Sequence, residues 1–147
     1  MSILSFNRRY RAALSAVLLS ALLPACGAPL AFPALRVEAE SPALRREAAA
    51  VFFAEDAESA APPLHLRETV SEEIESLAAD GTANAYRVNY ALAFRWRGEE
   101  RKIALNQIVS ADESRYRAGL RARADAAERL RLEALRQARY ILARLAQ

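Results

Sequence analysis

Residues 86–98 read YRVNYALAFRWRG. Tyr86, Val88, Tyr90, Leu92, Phe94 and Trp96 alternate with Arg87, Asn89, Ala91, Ala93, Arg95 and Arg97. A strand with one buried face produces this pattern, because successive side chains leave opposite faces of the pleat. Upstream, Asp80-Gly81 is a tight-turn signal, since glycine tolerates positive φ. Before that turn, LHLRETVSEEIESL (64–77) sets Leu64, Leu66, Val70 and Ile74 among more polar neighbours. Downstream, Gly98-Glu99 turns the chain again. Ile103, Leu105, Gln107 and Val109 then face one way, with Ala104, Asn106 and Ile108 opposite. Three consecutive antiparallel strands are expected.

Working outward, ALRVEAE (34–40) alternates Leu35, Val37 and Ala39 against Arg36, Glu38 and Glu40, a short strand at period two. Ser41 then suits a helix N-cap and Pro42 the first helical position, where a missing N–H costs nothing. Leu44, Ala48, Val51 and Phe52 share a helical face, and this helix should end near Ala54, before the loop EDAESAAPP (55–63). The last element is a long helix from about Tyr116 to Ala146. Ala127, Leu130, Ala134, Ala138, Ile141 and Leu145 recur at steps of three and four, and Leu132, Leu135 and Leu142 widen the stripe. Arg121, Arg123, Arg129, Arg131, Arg136, Arg139 and Arg144 stud the remaining face. The order strand, helix, three strands, helix predicts an α+β fold: two helices packed on one face of a four-stranded, mainly antiparallel sheet.

The first 25 residues read differently. Arg8, Arg9 and Arg11 precede a short apolar run from Ala12 to Leu23, too short for a bilayer that needs about 20 residues. A basic start, a short apolar middle and small residues at the end describe a secretory signal. It closes at Leu23-Pro24-Ala25-Cys26, similar to a bacterial lipobox, in which the cysteine becomes the lipidated first residue. Cys26 is the chain's single cysteine, so it has no intrachain disulfide partner. Residues 1–25 are read as a lipoprotein signal peptide, 26–33 as a lipidated tether and 34–147 as one domain. Gly27 in place of an aspartate points to the outer membrane, on its periplasmic face.

Charge follows the same division. Of 21 basic residues the leader holds three, and it holds none of the 18 acidic ones, so the remainder balances at 18 of each. Bulk charge therefore gives no ground for nucleic-acid binding. The chemistry-bearing residues are sparse. His65 is the one histidine, which cannot build a zinc site without further ligands. There is no Gly-x-Ser-x-Gly elbow and no glycine-rich phosphate loop. Glu72, Glu73 and Glu75 read as a charge-blunted strand edge, with Glu73 and Glu75 on one face and Glu72 on the other. No catalytic residue, metal site or cofactor is expected. Near the last helix, ESRYRAGLRAR (113–123) gathers arginines at a helix start, where planar donors and free N–H groups suit anions.

Three features together resemble the lipopolysaccharide-assembly lipoprotein family, LptE, of Gram-negative outer membranes. They are Cys26 followed by Gly27, the run IESLAADGTANAYRVNYALAFRW (74–96), and the strand-to-helix stretch QIVSADESRYRAGLRARADAAERLRLEALRQARYILARL (107–145). The resemblance implies a non-enzymatic protein held in the membrane through its lipid anchor. It would plug the outer-membrane β-barrel LptD, assist that barrel's assembly and bind lipopolysaccharide. It also implies basic lipopolysaccharide contacts at the turn before the Tyr-led strand and near the start of the last helix. The turn here, AADGTANA (78–85), has no basic residue, so only Arg121 and Arg123 carry over. An auxiliary lipoprotein of an ABC-type envelope lipid transport system is the alternative. A small periplasmic hydrolase would need a nucleophile and base beside His65.

Overall fold

A computed structural model of the protein describes residues 32–55, 58–111 and 116–147. The leader, Cys26, most of the tether and residues 112–115 lie outside the described residues. The elements are β1 (Arg36–Ala39), α1 (Pro42–Phe52), β2 (Pro63–Leu77), β3 (Ala83–Trp96), β4 (Glu99–Ser110) and α2 (Tyr116–Leu145). The sheet runs β1-β2-β3-β4, with β1 parallel to β2 and the other pairs antiparallel. The α+β expectation therefore holds. The parallel pair arises because α1 carries the chain back between β1 and β2, as a crossover must.

Local chemistry sets the boundaries. Ser41 Oγ accepts a hydrogen bond from Leu44 N–H at 3.3 Å and Pro42 opens α1. The helix ends at Phe53, whose φ of 49° is left-handed, and Ala54 N–H closes onto Ala49 O at 3.0 Å. This is a Schellman-type stop, formed without the usual glycine. The β3–β4 hairpin turns at Arg97 and Gly98, both with positive φ, as a two-residue type I′ turn requires. The turn thus lies one residue before the expected Gly98-Glu99. At the other hairpin, Thr82 N–H and Thr82 Oγ1 both donate to Asp80 Oδ1, at 3.1 and 2.7 Å, and Gly81 has φ 85°.

The core lies between the helices and one sheet face. Leu35, Ala39, Leu44, Ala48, Phe52, Leu64, Leu66, Tyr90, Leu92, Phe94, Trp96 and Ile103 meet Ala134, Leu135, Ala138 and Leu142 of α2. The β3 alternation is borne out: Val88, Tyr90, Leu92, Phe94 and Trp96 are buried. The α2 stripe is rotated from expectation. Leu135 and Leu142, expected to widen the face, lie at its centre, while Ala127, Leu130, Ile141 and Leu145 are only half-buried. On β2 only Leu64 and Leu66 are buried; Val70 and Ile74 are 43% and 59% exposed. The β2–β4 strands outrun the short β1, so their far ends lack its cover.

Candidate functional site

Two groups of charged side chains occupy the helix-covered face of the sheet. The first is at the far end, beside the start of α2. Glu72 stands on the same face as Leu64 and Leu66, so it meets the helix. Arg123 donates to it from Nη1 at 2.7 Å. The guanidinium also lies over the Tyr86 ring, 4.2 Å from its centroid. The Arg123 side chain is only 13% exposed. Arg121, two residues earlier, leaves the helix on a different side and is exposed. The two candidate lipopolysaccharide contacts are therefore not brought together. One is a solvent-facing cation; the other ties α2 to the sheet. On the opposite sheet face, Arg87 grips Glu75 with Nε and Nη2, both at 2.7 Å. That hydrogen bond holds the Glu75 carboxyl below its ordinary pKa. Glu75 is the extra residue of a bulge between Ile74 and Ser76. At the turn, the Thr82 hydrogen bonds likewise depress Asp80.

The second group, at mid-sheet, was not singled out by sequence reasoning. Arg131 projects from the core-facing stripe of α2, one turn before Leu135. Its Nε donates to Glu68 Oε2 at 2.8 Å and its Nη1 to Glu47 Oε1 at 3.2 Å. Tyr90 Oη donates to the same Glu68 oxygen at 3.0 Å. One arginine thus joins α1, β2 and α2, with β3 reached through Tyr90. Burial works against the Arg131 charge, and the two carboxylates more than offset it, leaving its pKa raised. Burial, then the Glu68 charge, pushes the Tyr90 hydroxyl above its ordinary value. Glu47 Oε2 is buried and has no hydrogen-bond partner among the described residues, and neither has Trp96 Nε1. A signal was present in the sequence: Glu68 interrupts the apolar stripe Leu64, Leu66, Val70, and Arg131 interrupts the stripe of α2.

His65 has a partner that the sequence did not reveal. The parallel register sets Glu38 beside His65, and their side chains meet at 3.0 Å. An open depression of about 610 Å³ surrounds them, lined by Glu40, Arg45, Arg67 and Arg95 among others. No serine, threonine or cysteine lines it. Among the described residues no three His, Cys, Asp or Glu side chains gather to hold a metal ion, and no helix is long and apolar enough to cross a membrane.

No family model and no curated protein matches the chain. Solved structures do match in fold. Rare lipoprotein B from Shewanella oneidensis superposes with a TM-score of 0.60 at 18% identity, over 69% of this chain and 86% of that one. A lipoprotein B from Nitrosomonas europaea gives 0.55 at 15% identity, over 77% and 81%. A protein from Caulobacter crescentus CB15 described among the lipoproteins gives 0.54 at 19% identity, over 76% and 89%. The chain shares the fold of these bacterial lipoproteins across most of their length.

Proposed function

We propose that the protein is an outer-membrane lipoprotein of the lipopolysaccharide-assembly kind, anchored through Cys26 on the periplasmic face. In this reading it plugs the β-barrel LptD, assists that barrel's assembly and binds lipopolysaccharide during its passage to the cell surface. The observation that carries the reading is the match in fold to rare lipoprotein B, in a chain that also bears a lipobox-like cysteine after a secretory pattern and sequence runs that resemble the LptE family. The physical character of the domain supports the same job. A plug inside a watery barrel needs a self-contained core and a polar outer surface. Here the core is closed by two helices on one face, while Arg87, Asn89, Arg95, Lys102 and Asn106 occupy the other.

Mild-detergent extraction from membranes of cells fed labelled palmitate tests this. The expected result is a palmitate-bearing protein that co-purifies with a large outer-membrane barrel, and a Cys26→Ala variant that carries no label. An inner-membrane ATPase complex in place of the barrel would transfer the protein to ABC-type envelope lipid transport. Label persisting in the variant would remove Cys26 as the attachment point.

A further inference from the structure

We propose that the end of the domain nearest the tether is a second, non-covalent membrane contact: Phe53 and the arginines at the end of α2 seat it on an anionic phospholipid bilayer. The inference rests on the lipid-anchor reading and adds to it the face that meets the membrane.

Phe53 is the observation that starts the argument. It is 73% exposed, the most exposed large apolar side chain among the described residues. It also holds a left-handed backbone, which is costly for a bulky residue and usually given to glycine. A phenylalanine is thus displayed to solvent at the position where a glycine would make a better helix stop. Arg139 lies over both Phe53 and Phe32, with Cζ 4.7 and 5.5 Å from their ring centroids. Phe32 in turn stacks on buried Phe52, with 6.0 Å between centroids. One turn beyond Arg139, Arg144 lies 4.8 Å over the ring of Tyr140, which is itself 53% exposed. Long cationic side chains keep their charged heads at the water side, and amphipathic rings such as tyrosine sit at headgroup level, so both residue types suit a bilayer interface.

Charge and chain length fix the occupant. From Ala134 to Gln147 the chain carries Arg136, Arg139 and Arg144 and no acidic residue. Glu133, just before, accepts from Gln137 at 3.1 Å. Glu55, close after Phe53, accepts from Ser59. Those hydrogen bonds leave both carboxylates charged, and Glu55, Asp56 and Glu58 follow Phe53 in the chain, so what suits an anionic surface is the α2 terminus itself, where three arginines stand with no acidic residue among them. The tether decides which surface: six peptide steps separate Cys26 from Phe32, so the two backbones are at most about 20 Å apart. A lipid on Cys26 therefore holds this end, and not the far end with Glu72 and Arg123, against the leaflet in which it is buried. Because the anchor supplies a high local concentration, weak contacts suffice.

The test uses the full, membrane-extracted protein. Once Cys26 is acylated, Ala50→Cys, exposed on α1 one turn before Phe53, is the sole free thiol and takes an environment-sensitive fluorophore while Phe53 stays in place. Ala104→Cys, on the exposed face of β4, is the control. Both are placed in vesicles of phosphatidylglycerol and phosphatidylethanolamine carrying a nitroxide near the headgroups. The expected result is blue-shifted, nitroxide-quenched emission at position 50 and neither at 104. Each arginine near an anionic surface contributes about a fivefold gain in binding. Arg139→Gln with Arg144→Gln should then shift the seated-to-free ratio by about 25-fold and bring position 50 toward the control. No quenching at 50 in palmitate-bearing protein overturns the seat while the lipoprotein reading stands. A blue shift that the nitroxide leaves unquenched, growing with protein per vesicle, means contact between copies and also overturns it. Protein without palmitate removes the anchor, and the seat with it.

Discussion

Arg131→Ala should destabilise the domain well beyond an ordinary surface substitution. The side chain is 18% exposed, and its partners Glu68 and Glu47 are 14% and 26% exposed. Removing it leaves two like charges facing each other on the core side of the sheet, with Tyr90 still donating to one of them. Breaking a fully buried pair by deleting one partner costs about 3–5 kcal/mol. Residual solvent access screens this group, so the cost here should be about 2–3 kcal/mol. For a domain of this size that lowers Tm by roughly 10 °C. Thermal and urea unfolding followed by circular dichroism would measure it, with an unchanged urea slope showing that stability alone has moved. The charge argument has a sharper consequence. Arg131→Met combined with Glu68→Gln should lose less than the sum of the two single changes, because the double variant strands fewer charges. A loss within about 0.5 kcal/mol for Arg131→Ala, the range of an unremarkable surface change, would refute the reasoning. It would mean that desolvation of the arginine cancels its two contacts.

Trp96→Ala should cost about 3–5 kcal/mol in the same assay, since the ring is 2% exposed at the closed end of the core; a loss below about 1 kcal/mol would show that the site collapses or fills with water. Tyr90 carries a pH signature. Its folded pKa is raised, so the folded state holds the proton longer than the unfolded chain, and stability should fall as pH rises above the unfolded value of about 10. Tyr90→Phe should flatten that alkaline slope, and an unchanged slope would assign it to other groups. Arg121→Glu should weaken lipopolysaccharide binding with an unmoved Tm, while Arg123→Gln should lower Tm through loss of the Glu72 contact. Equal effects on both measurements would contradict the different placements of the two side chains.

The sheet was legible because its central strand is regular in chemistry as well as conformation. From Val88 to Trp96 every second residue is large and apolar, and a slip of one residue would turn all of them into solvent. The first helix was legible at its start, where Ser41 and Pro42 state their roles locally. Its end was less so, because Phe53 replaces the expected glycine signal. The α2 stripe was misplaced for a different reason. Alanine and leucine recur around so much of that helix that several faces qualify, and packing against Leu92 and Phe94 chooses among them. The charged groups were the least legible. Glu68, Arg131 and Glu47 are far apart in the chain, and Glu38 meets His65 only through the parallel register. Periodicity describes one element at a time; pairing between elements is decided in three dimensions.

The distribution of these contacts gives the molecule two unlike ends. Near β1 the sheet is closed: α1, Phe32 and the end of α2 cover Leu64, Leu66, Phe94 and Trp96. Beyond Glu68 the same strands continue without β1, and Val70, Ile74, Leu77 and Ile108 are left exposed. What holds α2 there is mixed: Val88 and Ala126 are fully buried, and Arg123 bonds Glu72 and lies over Tyr86. The Arg123 side chain is 13% exposed and Glu72 43%, so water screens the pair in part and it contributes less than the apolar burial at the other end. Stability is therefore concentrated at the tether end, and the far end is the part that can open at low cost. Under the proposed function this asymmetry has a use: a lipid on Cys26 would hold the more stable end near the membrane, and the end with Val70, Ile74, Leu77 and Ile108 exposed would be the one left to engage a barrel partner.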